Sequence, residues 1–163
     1  MIRKIGLISA CAVAGMILYQ KAGTATKLDC GRTESSFKCV DFIINHDGDT
    51  FTVDIPRVPA IFGYHIPVRI AHIDTAELAS TDTCAKNAAE LARDKLGSIL
   101  RAAKRIDLVN VKRDKYFRLL AEVVLDNDLS LSDYLLDQKL AVPYEGETKP
   151  ETNWCLYPPN ASK

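Results

Sequence analysis

Residues 51–55, Phe-Thr-Val-Asp-Ile, alternate apolar with polar, and the run 37–45 before them is rich in β-formers such as Val40, Phe42, Ile43 and Ile44. A period of two sends successive side chains to opposite faces of a strand, so the two runs predict a hairpin. Pro56, Pro59, Pro67 and Gly63 then interrupt the pattern over residues 56–67. Proline removes a ladder donor, so this stretch reads as a loop able to overhang a neighbouring site, with His65 as a surface residue in it. β character returns over residues 68–73, a third strand in which Arg69 lies on the face opposite Val68 and Ile70. His72 falls on the other face from Arg69 and reads as structural.

The period then changes. Ala85, Ala88, Ala89, Ala92, Leu96, Ile99, Leu100 and Ala103 recur at helical spacing, an apolar stripe for packing on a sheet. Residues 80–83 supply several N-cap candidates, and Lys104 and Arg105 suit the negative pole at the far end. Residues 106–111 and 118–125 predict a second hairpin around the Lys115–Tyr116 turn. The Asp-Asn-Asp run at 126–128 reads as a loop, without the ligand array of an EF-hand. A short helix follows, capped by Ser132 and containing Tyr134, Leu135 and Leu136.

At 163 residues the chain suits one domain with a single core. Its 21 basic residues equal its 21 acidic ones, so no global field attracts a polyanion, and any nucleic-acid binding must come from a local cluster. Lys112, Arg113, Lys115 and Arg118, with Tyr116 among them, form the best such cluster; by themselves they also suit a solvated hairpin. Residues 1–25 are set apart from the domain over 26–163. Arg3 and Lys4 precede an apolar run over 5–19, too short for an ordinary membrane span, followed by small polar residues. That order predicts an export signal cleaved after Ala25, with an uncleaved anchor or lipidation at Cys11 as alternatives. Export to an oxidising compartment makes Cys30, Cys39, Cys84 and Cys155 a disulfide set with three possible pairings, of which Cys30–Cys39 and Cys84–Cys155 are favoured. No Cys-x-x-Cys pair or histidine cluster supports zinc.

The candidate chemistry lies in two acidic runs, Asp47-Gly48-Asp49-Thr50 and Arg69-Ile70-Ala71-His72-Ile73-Asp74-Thr75-Ala76-Glu77. Asp-Gly-Asp-Thr alone is ordinary turn material, and Asp74 and Glu77 alone suit a solvated loop. Together, four carboxylates and an arginine are what a hard cation and an anionic substrate require.

With Asp114-Lys115-Tyr116-Phe117-Arg118, and the Cys84-Ala85 helix start, these runs resemble the staphylococcal nuclease family pattern in order and spacing, over a core of about residues 37–145. The resemblance implies an α+β fold that is mainly a five-stranded OB-type barrel with one long helix and one or two short ones. It implies a Ca²⁺-dependent endonuclease, acting on DNA and RNA with little sequence preference and leaving 3′-phosphates. By matching positions, Asp49, Asp74 and the Thr75 carbonyl would hold calcium. Glu77 would orient or deprotonate water, Arg69 and Arg118 would grip the phosphate, and Lys115, Tyr116 and Tyr144 would contact substrate. A monomer without an obligate protein partner is expected, exported, with anchoring at its N-terminus as the alternative. The alternative is a non-enzymatic domain that binds nucleic acid or protein. Three positions depart from the pattern: Ala76 stands for proline, Phe117 for the glycine of D-K-Y-G-R, and Lys139 for a glycine after the short helix. The tail from 145 onward is too short and broken for a long last helix, and Cys155 is expected to pin it.

Overall fold

The computed structural model describes residues 29–126, 128–149 and 151–157. The export segment expected over 1–25, with Cys11, and Asn127 of the acidic loop lie outside the described residues. The alternating runs form β1 (Asp41–Asn45) and β2 (Thr50–Asp54), paired antiparallel. β2 pairs in turn with β3 (Ile66–Ile70), and β3 runs parallel to β6 (Leu119–Leu125). β5 (Ile106–Arg113) pairs with β6, which gives the order β1-β2-β3-β6-β5.

The sheet curls until its edges meet. Phe37 N–H donates to the Leu108 carbonyl at 2.9 Å, Leu108 N–H returns the bond at 2.8 Å, and Val40 N–H donates to Ile106 at 2.9 Å. The segment just ahead of β1 is thereby joined to β5, which curls the sheet toward a small barrel. Phe51, Val53, Val68, Ile70, Leu108 and Val123 fill the interior. The fold is thus mixed α+β, a curled sheet of OB type with one long helix.

That helix is α2 (Thr83–Ala102), preceded here by the single turn α1 (Ala60–Gly63). Asp82 begins α2 by accepting a hydrogen bond from Ala85 N–H at 2.7 Å. Ala92, Leu96 and Leu100 are buried in the sheet core, and Ala88 and Ala89 in a second cluster with Ala76; truncating a leucine so placed costs about 2–5 kcal/mol.

Four details differ from the sequence reading. Residues 60–63 hold a helical turn where only loop was expected, since Pro59 suits the position before a first turn. The third strand ends at Ile70, because His72 adopts φ 68 and turns the chain; β4 (Ile73–Asp74) follows and pairs with the later strand β8 (Val142–Pro143). Arg105 does not face the α2 pole. Its guanidinium bonds Asp107 at 2.9 Å and the Asp29 carbonyl at 2.8 Å. The short helix α3 (Leu131–Asp137) follows β7 (Leu129–Ser130) and is capped by Ser130, whose hydroxyl accepts from Asp133 N–H at 3.3 Å; Ser132 is buried within it. Lys139 ends this region at φ 54, the left-handed region that favours glycine.

Disulfides join Cys30 to Cys39 and Cys84 to Cys155, with Cα separations of 5.2 and 4.9 Å. The second ties the tail to the start of α2. Two such bonds point to an oxidising compartment outside the cytoplasm.

Candidate active site

The turn between β1 and β2 is held by Asp47, whose Oδ1 accepts from Asp49 N–H at 3.0 Å and Thr50 N–H at 2.7 Å. Gly48 is required by close approach: a Cβ there would lie 2.7 Å from Ala92 Cβ and 2.9 Å from Thr75 Oγ1. The turn therefore packs directly on α2 and on the loop after β4. Asp49, 3% exposed, is carried inward by this contact.

Strand register then brings the first arginine to the acids. Thr50 pairs with Arg69 across β2 and β3, so Arg69 stands beside Asp49. One guanidinium nitrogen pairs with Asp49, while Nη2 donates to Asp74 Oδ1 at 2.8 Å and to the Ile73 carbonyl at 3.2 Å. A single fork thus spans two buried carboxylates, Asp49 in the turn before β2 and Asp74 on β4. Thr75 completes the cradle, its N–H and Oγ1 both lying 3.3 Å from Asp49 Oδ2.

Arg118 arrives from the other hairpin. Its Nε donates to Asp114 Oδ2 at 2.8 Å and its Nη1 to Thr50 Oγ1 at 3.3 Å, and that hydroxyl donates to Asp49 Oδ1 at 2.9 Å. The Tyr116 ring lies between two cations, 5.5 Å from the Arg118 guanidinium and 5.2 Å from Lys115 Nζ. Phe117, beside it, adopts φ 64 and is 79% exposed.

The cleft these groups surround has a volume of about 600 Å³. Asp49, Arg69, Thr75 and Glu77 line one side, with Lys115, Tyr116, Arg118 and Tyr144 also on its wall. Asp74 is bonded by two of the lining residues, Arg69 at 2.8 Å and Lys149 at 3.1 Å. Asp47, one of the four carboxylates of the two acidic runs, also lines the cleft, as do Asp114 and Lys149, to which the sequence reading assigns no role at the site. Aspartates in turn positions were legible as side chains that bond the backbone two or three residues on. Lys149 carried no signal, because it sits in a polar, aperiodic tail.

Electrostatics follow from burial. Removal from water pushes the Asp49 carboxyl up to about 6, although the Arg69 charge opposes the rise. Burial would lower the Arg69 guanidinium, but the Asp49 charge and the bond to Asp74 raise it further. Burial also works against the Asp114 carboxylate, yet the Arg118 bond and two backbone N–H groups hold it below the usual range.

The donor set can be tested against calcium. Among the described residues no three His, Cys, Asp or Glu side chains gather as a ready metal cage. Two buried carboxylates set on one guanidinium, with the adjoining Thr75 carbonyl, remain. All are hard oxygen donors, and so few protein ligands leave coordination positions to water and phosphate, which fits a calcium ion.

The family described as Staphylococcal nuclease homologue matches residues 67–157, from β3 through the pinned tail. The chain belongs to that family. No curated protein matches it.

Proposed function

We propose that the protein is an exported Ca²⁺-dependent nuclease that hydrolyses phosphodiester bonds of DNA and RNA with little sequence preference. The observation that carries this is the entry of Arg69 and Arg118 into one cleft from separate hairpins, beside buried Asp49 and near Glu77. Two permanently charged forks facing one space suit a phosphodiester whose non-bridging oxygens gain charge during attack.

Arg69 and Arg118 bind those oxygens and orient the ester. Glu77 accepts a proton from a water molecule, whose oxygen attacks phosphorus; the bond to the 5′-oxygen breaks, that oxygen takes a proton from solvent and departs as a 5′-hydroxyl, and a 3′-phosphate remains. Asp49, Asp74 and the Thr75 carbonyl would hold calcium, whose charge polarises the phosphoryl group when it is bound. Lys115 and Tyr116 receive the neighbouring phosphate, and Tyr144 stands near the nucleotide. Contacts of this kind go to the backbone, so base identity matters little.

The test is cleavage of labelled single-stranded DNA and of RNA by the purified mature domain, in calcium or in chelator. Cleavage in calcium that stops with chelator is expected; binding of either strand without any cleavage would instead make the domain a non-enzymatic binder.

A further inference from the structure

Ala76 occupies the place where the family pattern has proline, directly before Glu77. The loop is nevertheless held. Ala76 is buried against Ala88 and Ala89 of α2, and Trp154 of the tail packs on that cluster. Cys155, the next residue, is bonded to Cys84. At its other end the tail is attached by Tyr144 N–H, which donates to the His72 carbonyl at 3.0 Å. Between these attachments Lys149 reaches the acids: its Nζ lies 2.5 Å from Glu77 Oε1 and 3.1 Å from Asp74 Oδ1.

The Glu77 side chain is 68% exposed, and among the described residues no second cation pairs with it. A carboxylate on an exposed loop samples many rotamers, and side-chain order must be imposed by a partner. Lys149 is that partner, and it also bonds Asp74, a buried acid held by Arg69. The ammonium therefore bridges the exposed Glu77 to a buried anchor.

Resting on the nuclease assignment, we infer that the disulfide-tied tail is a positioning strap, in which Trp154 backs the Ala76 loop and Lys149 holds the Glu77 carboxylate in place for water activation. Lys149 is a positioning residue, acting through Glu77.

The experiment is a double-mutant cycle on the full mature chain with Lys149→Met, Glu77→Gln and the pair, plus Lys149→Arg and Cys84→Ser/Cys155→Ser. Lys149→Met should lower kcat by roughly 10- to 100-fold with KM changed by less than about twofold, the scale expected when a reacting group is displaced by about 1 Å. In the Glu77→Gln background the same change should have almost no further effect, and Lys149→Arg should recover most of the rate. Amide hydrogen exchange over residues 76–78 should quicken in Lys149→Met and in the double serine variant, a readout independent of activity. An equal loss from Lys149→Met with and without Glu77, or a loss confined to KM, would overturn the inference. So would unchanged exchange over 76–78. A wild type that shows no cleavage would overturn the nuclease assignment instead, leaving the exchange measurement to decide the strap.

Discussion

Arg118 is held by Asp114 through a 2.8 Å bond from Nε to Oδ2, and the same carboxylate accepts from the backbone N–H of Tyr116 at 2.8 Å and of Arg118 at 3.0 Å. One side chain thus shapes the turn and aims the arginine that the turn carries. Asp114→Ala removes both effects. It should raise KM and lower kcat for a phosphodiester substrate, less severely than Arg118→Ala, whose loss should reach about 10²–10³ in kcat as for removal of one transition-state donor. Steady-state kinetics on a defined oligonucleotide check the ranking.

Phe117 should be a site where glycine stabilises. Its φ of 64 costs a side-chain-bearing residue about 1–2 kcal/mol. Little apolar contact is lost by truncating so exposed a ring. Glycine's extra freedom in the unfolded chain returns part of the gain, so Phe117→Gly should add about 0.5–1 kcal/mol to the unfolding free energy, measured in denaturant.

His72 gives stability a pH dependence. Its imidazole is raised above its usual value chiefly by the bond to Glu145, 2.9 Å away, with Glu122 adding to it and burial opposing. A raised folded-state pKa stabilises below the unfolded value of about 6.5 and loses that contribution as pH climbs through the folded one. The stability gap between wild type and His72→Gln should therefore be larger at pH 6 than at pH 8.5. Urea unfolding of both proteins at the two pH values measures it. The ring is half exposed and screened, so the change is modest.

The two disulfides should differ in weight. Cys84–Cys155 closes a sequence separation of 71, against 9 for Cys30–Cys39. Loop-closure entropy grows with length, so opening the long one by serine substitution should cost about 2–4 kcal/mol, and opening the short one less. Denaturant midpoints of the paired serine variants test the order.

What the sequence showed depended on locality. Alternation at 51–55 and the alanine-leucine stripe of α2 each report one buried face, and the structure buries those faces. Arg69 and Asp49 were brought together only by the resemblance of their motifs to the family pattern; the pairing of Thr50 with Arg69 that sets them side by side is seen in the structure alone. The break at His72 was hidden, since nothing in the residue type announces a left-handed conformation. Ser130 and Ser132 offer the same hydroxyl two positions apart, and only hydrogen-bond geometry chooses between them. Lys149 was least accessible of all: its place beside Glu77 is set by a disulfide partner and a tryptophan contact distant in sequence, with no period to betray it.

The most direct measurement compares wild type with Glu77→Gln and Arg69→Lys at saturating calcium, scoring both the rate of cleavage and the chemical ends of the products. Fast wild-type cleavage yielding 3′-phosphates, with both variants slower by orders of magnitude while calcium binding in Glu77→Gln is retained, is the predicted result. Equal rates in all three proteins, or cleavage that persists in chelator, would contradict the assignment of this cleft as a calcium-dependent nuclease site.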